Sequence, residues 1–96
     1  MYKSISIKEI DNIIIDTNTI LIDIREKYEY ILGNIRGSVN IPYNYLMVVP
    51  HEYLDRSKKY YIYCDTGSKS RKLCIHLSNL GYNVVDLSGG IKDYLV

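Results

Sequence analysis

Short apolar runs typical of buried strands alternate along this 96-residue chain with segments of helical periodicity. The clearest strands are predicted at 20–24, 60–63 and 84–87, where β-branched and aromatic residues dominate. The clearest helix is predicted at 70–80 and ends before Gly81. Strands that alternate with helices favour an α/β fold built on a mainly parallel sheet.

Weaker patterns supply the remaining elements. Strands are predicted at 4–5 and in the segment from Ile35 to Pro42, which makes the sheet five-stranded with helices on both faces. Ser6 is predicted to cap a helix, with Glu9 completing a capping box. Further helical segments are predicted at 26–32, in short turns within 43–54, and at 91–94.

Composition limits the classes of protein that fit this chain. The net charge of +1 argues against nucleic acid or an anionic membrane as the main partner, since both usually require a basic excess. The longest apolar runs are too short to span a bilayer, and no signal peptide is visible. The length of 96 residues is enough for one small domain, which we expect to span 1–96. The chain has two cysteines, and the simplest interpretation is a reduced, cytoplasmic compartment.

Cys64 stands at the most informative place in the sequence. It follows a predicted strand and opens the loop 64–71, which leads into the best predicted helix. Backbone N–H groups and the helix dipole converge at such a place and favour an anion such as a thiolate. Cys74, by contrast, lies on the apolar face of the helix and is expected to be a buried small hydrophobe, with a resolving role as the alternative.

No metal site or cofactor is expected. His51 and His76 lie far apart in the sequence, and neither has a second ligand-type residue at metal-binding spacing. At the predicted sheet edge, Asp23 and Arg25 are expected to tie the structure together, with Glu29 pairing to Arg25 at helical spacing.

Three groups of residues follow one another in an order that resembles the rhodanese-like domain family. They are Asp23-Ile24-Arg25 with Glu29, Tyr30 and 33–42; Cys64, Gly67, Lys69 and Ser70; and 87–91 with Tyr94. The first group resembles the family's Asp-Val-Arg…Glu-Tyr…Gly-His-Ile-x-Gly-Ala-x-Asn-Ile-Pro stretch, the second its Cys-x-x-Gly-x-Arg-Ser loop, and the third its Gly-Gly-Ile…Trp ending. The resemblance covers nearly the whole chain and implies a rhodanese-like fold.

The resemblance also implies an activity, which is sulfur transfer through a persulfide on Cys64. The donor would be a small molecule such as thiosulfate or a persulfide, and the acceptor would be cyanide, a small thiol or a thioredoxin-like protein. The residues expected to bind the donor are those of the loop: Asp65, Thr66, Gly67, Ser68, Lys69, Ser70 and Arg71. Their N–H groups can form a nest around the terminal sulfur. A monomer or a homodimer is compatible with the sequence.

Departures from the family pattern fall inside the same loop. Lys69 stands where many relatives carry Arg, and a lysine cannot grip an oxyanion through two parallel hydrogen bonds. Asp65 places a carboxylate beside the nucleophile, so thiosulfate is expected to bind weakly. Asn34 and Tyr94 replace the family's usual His and Trp, and both changes are interpreted as structural.

Two alternative functions remain open at this stage. One is a non-catalytic binding or regulatory module, a role that many rhodanese-like domains have. The other is a phosphatase or an arsenate reductase, whose related loop has the pattern Cys-x5-Arg. Here Ser70 is the sixth residue after Cys64 and Arg71 is the seventh, so the spacing favours the shorter, sulfur-sized loop.

Overall fold

Five parallel strands form one sheet in the computed structural model, which describes residues 2–95. The strands are β1 (Lys3–Ser6), β2 (Thr19–Asp23), β3 (Ser38–Asn40), β4 (Lys59–Tyr63) and β5 (Asn83–Ser88). Their order across the sheet is β1-β5-β4-β2-β3, and all four pairings are parallel. The predicted five-stranded parallel sheet is therefore confirmed.

Helices connect the strands and cover both faces of the sheet. The α-helices are α1 (Lys27–Leu32), α2 (Tyr43–Val48), α3 (Ser68–Asn79) and α4 (Gly90–Tyr94), and 3-10 helices span Ile7–Asn12 and Pro50–Glu52. On one face, α2 and α3 pack through Leu46, Leu73 and Leu77 onto the sheet. On the other face, the first 3-10 helix and α4 pack through Ile7 and Ile91. The prediction of helices on both faces is confirmed.

The segment after β1 differs from the predicted helix. It forms a 3-10 helix, and the Ser6 side chain accepts from the N–H of Lys8 rather than forming the predicted capping box with Glu9. The observed capping box begins α1 instead, where the Glu29 side chain accepts from the N–H of Glu26 and the Glu26 side chain accepts in return. A glutamate can close this reciprocal pair as well as the commoner serine, because either side chain supplies an acceptor oxygen.

Two element boundaries also differ from the predictions. Helix α3 begins at Ser68, two residues before the predicted start, because Gly67 adopts a left-handed conformation with φ of 98° and turns the chain directly into the helix. Strand β3 is limited to three residues. Ile35 lies before it and packs in the cluster of Ile7 and Ile91 on the other face of the sheet. Within residues 2–95, no helix combines the length and apolar character needed to cross a membrane.

Candidate active site

Cys64 directly follows β4 and lies at the bottom of the loop 64–70. Its side chain is nearly buried, with 4% of its surface exposed. The Sγ atom accepts from the N–H of Gly67 at 3.2 Å and from the N–H of Ser70 at 3.4 Å. The loop therefore curls around the sulfur, and its amides point at the atom that carries negative charge in a thiolate.

The start of α4 fixes the backbone of this loop from outside. The N–H of Ile91 donates to the carbonyl of Cys64 at 2.9 Å, and the N–H of Lys92 donates to the carbonyl of Asp65 at 3.1 Å. Gly90 has φ of 67°, and a Cβ atom there would lie only 2.7 Å from the Cys64 carbonyl oxygen. The two backbones can approach this closely only because residue 90 has no side chain.

A buried carboxylate lies behind Cys64. Ser70 is fully buried, and its Oγ donates to Oδ1 of Asp86 at 2.6 Å. The Cys64 thiol lies 3.5 Å from the same Ser70 Oγ, within donating distance for sulfur. Asp86 is in the middle of β5 with 2% of its surface exposed, and its Oδ2 accepts from the Ser4 hydroxyl at 3.5 Å.

A second buried charge pair supports the edge of the site. The Oδ2 atom of Asp23 accepts from Nη2 of Arg25 at 2.8 Å, and Asp23 is completely buried. Burial by itself lowers the pKa of Arg25, but the hydrogen bonds and charge of Asp23 outweigh it and raise that pKa. Nη1 of Arg25 also lies 3.8 Å from Oδ1 of Asp65, so it partly balances the carboxylate beside Cys64.

A cavity of about 360 Å³, named here the front cavity, opens above Cys64. Its thirteen lining residues are Ile24, Arg25, Glu26, Glu29, Tyr43, Asn44, Cys64, Asp65, Thr66, Ser68, Lys69, Lys72 and Lys92. Four of them are basic and three are acidic. Nζ of Lys69 lies 5.5 Å from the centre of the Tyr43 ring, a cation–π distance that holds the ammonium at the wall.

The opposite side of the loop borders a second cavity, named here the rear cavity. It is lined by Tyr2, Ser4, Thr66, Gly67, Ser68, Arg71, Asp86, Ser88 and Gly89. Of the residues predicted to bind the donor, Asp65, Thr66, Ser68 and Lys69 line the front cavity, whereas Gly67 and Arg71 line only the rear one. Ser70 lies buried between the two.

The predicted pairing of Glu29 with Arg25 is replaced by other contacts. In the part of the chain that the structure describes, the ion-pair partners of Arg25 are Asp23 and Asp65, and Glu29 instead caps α1. Asp23 lies only two residues from Arg25, but it is the last residue of β2 and is held rigidly under the guanidinium. Asn34 has a structural contact, since its amide donates to the Tyr30 carbonyl at 2.9 Å.

Sequence reasoning missed Asp86, the buried carboxylate that accepts from Ser70 behind Cys64. A signal was present, because Asp86 interrupts an otherwise apolar run, Val84-Val85-Asp86-Leu87, in a strand predicted to be buried. A carboxylate placed there requires hydrogen-bond partners inside the protein. Tyr43, Lys72 and Lys92 were also missed as cavity residues, and nothing in their local pattern marks them.

The comparisons with known proteins agree with this geometry. The family model for the rhodanese-like domain matches residues 6–96. The structure of a rhodanese-related protein from Thermoplasma volcanium has a TM-score of 0.83 and 37% identity, covering 98% of this chain and 91% of that one. A tRNA uridine(34) hydroxylase from Bartonella henselae is 35% identical over 95 residues, covering 92% of this chain and 31% of the relative.

A fourth similarity names sulfur chemistry directly. The adenylyltransferase and sulfurtransferase uba4 of Ogataea parapolymorpha is 32% identical over 75 residues, which cover 77% of this chain and 19% of the relative. The chain spans less than a third of the length of these curated relatives. The fold, the order of the motifs, the loop around Cys64 and the matching family model together show that this chain belongs to the rhodanese-like domain family.

Proposed function

We propose that the chain is a sulfurtransferase that carries sulfane sulfur as a persulfide on Cys64. One observation carries the proposal: the Cys64 Sγ accepts two loop N–H groups at the bottom of an accessible cavity. Those amides stabilise a thiolate before the reaction, and the cavity of about 360 Å³ that Cys64 lines gives a sulfur donor access to it. One of the curated relatives has sulfurtransferase in its name, which supports the same class of reaction.

The proposed reaction balances in two steps. The Cys64 thiolate attacks the outer sulfur of thiosulfate, an S–S bond forms, and sulfite leaves with the electron pair of the bond that breaks. A thiolate or cyanide acceptor then attacks the terminal sulfur of Cys64–S–S⁻, and the Cys64 thiolate is released. A persulfide donor reacts in the same way, with a thiolate as the leaving group.

The position of Arg71 favours sulfur over phosphorus chemistry. Phosphoryl and arsenate chemistry needs a guanidinium that grips the oxyanion bound above the cysteine. Arg71 lines the rear cavity beside Asp86 and is not among the residues that line the front cavity with Cys64. The front cavity therefore offers lysines and Arg25 as cations, and Arg25 is already bound to Asp23.

The mixed charge of the front cavity affects which sulfur donor can bind there. Three carboxylates stand among four basic groups, so a dianion such as thiosulfate gains little net attraction. We therefore propose a persulfide as the better donor. Replacing Lys69 by Arg places a guanidinium, which can form two parallel hydrogen bonds to an oxyanion, at the cavity wall. This change is expected to increase sulfur loading from thiosulfate about fivefold.

We do not propose the hydroxylase activity of the longer relatives for this chain. The chain spans 31% of the Bartonella henselae protein. The net charge of +1 gives no electrostatic basis for binding tRNA. We propose instead a small-molecule donor and a thiol acceptor, in a reduced cytoplasmic setting where Cys64 stays a free thiol.

Intact-mass measurement tests the proposal. After incubation with thiosulfate or with a small persulfide, the protein is expected to gain the mass of one sulfur atom, and a thiol acceptor is expected to remove it. Cys64→Ala should abolish the gain. The matched control is Cys74→Ala, which removes the other cysteine, buried in the core, and should load sulfur as the unmodified protein does.

Other outcomes would identify the alternatives. A chain that gains no sulfur from either donor would contradict the proposal and favour a non-catalytic binding module. Phosphate release from an aryl phosphate, lost in Cys64→Ser, would favour a phosphatase.

A further inference from the structure

Asp86 is a buried carboxylate for which the sulfur chemistry has no role. It lies 2% exposed within β5, yet one of its oxygens is only 2.6 Å from the Ser70 hydroxyl. Ser70 Oγ is in turn 3.5 Å from the Cys64 sulfur. The hydroxyl therefore bridges the nucleophile and the carboxylate without an intervening water.

The direction of the hydrogen bonds follows from the single proton on the Ser70 hydroxyl. Its two acceptors are Oδ1 of Asp86 at 2.6 Å and the Gly67 carbonyl at 3.2 Å. The shorter bond, to an ionised group, is the stronger one. When the Ser70 proton is directed at Asp86, a lone pair on Ser70 Oγ faces Cys64. The Cys64 thiol can then donate a hydrogen bond to that oxygen.

We propose that Asp86 is a positioning residue that acts through Ser70 to hold the proton that Cys64 loses when it becomes a thiolate. The Cys64 S–H bond breaks and its proton passes to Ser70 Oγ, while the Ser70 proton passes to Oδ1 of Asp86. No charge leaves the site, because a neutral thiol and a carboxylate become a thiolate and a neutral carboxylic acid. Afterwards the Ser70 hydroxyl points at the thiolate and stabilises it.

The charges around Asp86 fit a pair that holds one negative charge. Burial raises the pKa of Asp86, whereas the Ser70 and Ser4 hydroxyls and the Arg71 charge lower it. The other ionisable groups around the pair are Cys74 on α3, Tyr2 at the rear cavity, and those that line the front cavity with Cys64: Arg25, Glu26, Glu29, Asp65, Lys69, Lys72 and Lys92. Two adjacent buried negative charges would repel strongly, so sharing one proton is favourable.

The rear cavity gives the proton a route that does not cross the donor site. Asp86 lines that cavity together with Ser4 and Arg71, while Cys64 lines the front cavity. A proton held on Asp86 can therefore exchange with solvent on one side of the loop while a sulfur donor occupies the other side.

The test is the rate at which iodoacetamide modifies Cys64 between about pH 4 and pH 10, read by peptide mass. Two coupled groups should give two rising limbs separated by a shoulder, with a further increase of roughly two- to tenfold at high pH. Asp86→Asn keeps the shape of the side chain but cannot ionise, and it should give one limb. Ser70→Ala should lower the shoulder about tenfold, the size expected for loss of a hydrogen bond to an ionised group. Ser88→Ala, on the wall of the rear cavity, should keep both limbs.

A second measurement covers the case in which Asp86→Asn does not fold. The infrared band of the protonated Asp86 carboxyl should persist to higher pH in the unmodified protein than in Cys64→Ala, because the thiolate holds the proton there. Each of four results would overturn the inference. They are one limb in the unmodified protein, two limbs in Asp86→Asn, an unchanged shoulder in Ser70→Ala, and an infrared band with the same pH dependence in Cys64→Ala as in the unmodified protein.

The inference rests on the nucleophilic role of Cys64 in the proposed function, but the two can fail separately. Iodoacetamide needs no sulfur donor, so a protein that loads no sulfur can still show the two limbs. Conversely, a protein that loads sulfur normally but shows one limb would retain the sulfurtransferase function and lose the role of Asp86.

Discussion

Cys64 and Cys74 contribute to the same hydrophobic core, ten residues apart, and their surroundings differ completely. Cys64 ends a strand, accepts two backbone N–H groups and borders the front cavity. Cys74 lies in the middle of α3 and is fully buried. Burial raises the pKa of the Cys74 thiol, and the nearby Asp86 and Cys64 raise it further.

The difference shows that backbone geometry, more than burial, distinguishes the two cysteines of this fold. Cys64 is 4% exposed and Cys74 is fully buried, so water contributes little to stabilising a thiolate at either place. At Cys64 the helix start and the loop replace the lost hydration with fixed N–H groups. In the middle of α3 every N–H is already bonded within the helix, so Cys74 has no such replacement.

The largest expected effect is a direct contrast between the two thiols. In the folded protein, iodoacetamide should modify Cys64 about a thousandfold or more faster than Cys74, because exposing Cys74 requires opening a core that costs several kcal/mol. In concentrated urea the two rates should become similar. Peptide mass mapping during the time course measures both rates at once. Equal rates in the folded protein would show that the loop around Cys64 provides no special environment.

Gly90→Ala is expected to change the Cys64 side of the comparison directly, because residue 90 lies against the backbone of Cys64 and Asp65. The new Cβ would overlap the carbonyl oxygens of Asp65 and Cys64, so the loop must move, at a cost of about 3 kcal/mol. Gly37→Ala is the matched control, since φ is 88° there and no atom lies within 4 Å of the added carbon. It should cost about 1 kcal/mol.

The measurements are urea unfolding and the rate at which Cys64 is alkylated. We expect Gly90→Ala to lower both stability and reactivity, whereas Gly37→Ala should lower stability alone. A Gly90→Ala variant with normal Cys64 reactivity would show that α4 does not shape the loop.

The smallest expected effect is a pH dependence of stability that originates at Asp86. Burial raises the pKa of Asp86 in the folded state, so above its ordinary value of 3.8 the folded protein binds more protons than the unfolded chain. The free energy of unfolding therefore falls as the pH rises through this window. Asp86→Asn lacks that decline, and its stability relative to the unmodified protein should increase with pH.

Asp55 provides a control with the opposite sign. Hydrogen bonds from Ser57 lower the pKa of the Asp55 carboxyl, so its contribution to stability is lost as the pH falls. Asp55→Asn should therefore become relatively less stable as the pH rises. Thermal unfolding of the three proteins across acidic to neutral pH measures both trends, and parallel trends would contradict the assignment of the Asp86 effect to burial.

The sheet could be predicted because its strands carry their own signal. The run at 20–24 contains three isoleucines and the run at 60–63 consists of isoleucine and tyrosine, and most residues of both runs are buried in the structure. The helix at Ile7–Asn12 was harder, since apolar spacing does not distinguish a 3-10 helix from an α-helix over six residues.

The position of Cys64 was predictable, but its supports were not. A strand, a glycine-containing loop and a helix follow one another in sequence, so the place of the thiol is a local property. The contacts of the loop with Gly90, Ile91 and Asp86 join residues more than fifteen positions apart and depend on how β5 packs beside β4. Sequence periodicity contains no information about such distances.

The hydrogen bonds from Ile91 and Lys92 to the loop have a consequence for the order of synthesis. A ribosome makes the loop at 64–70 well before it makes the residues that hold the loop carbonyls in place. Until those residues emerge, the carbonyls of Cys64 and Asp65 lack these two hydrogen bonds. If Cys64 acts as proposed, its environment is therefore completed late, when the fold closes, and a truncated translation product that lacks α4 should expose Cys64 without the proposed reactivity.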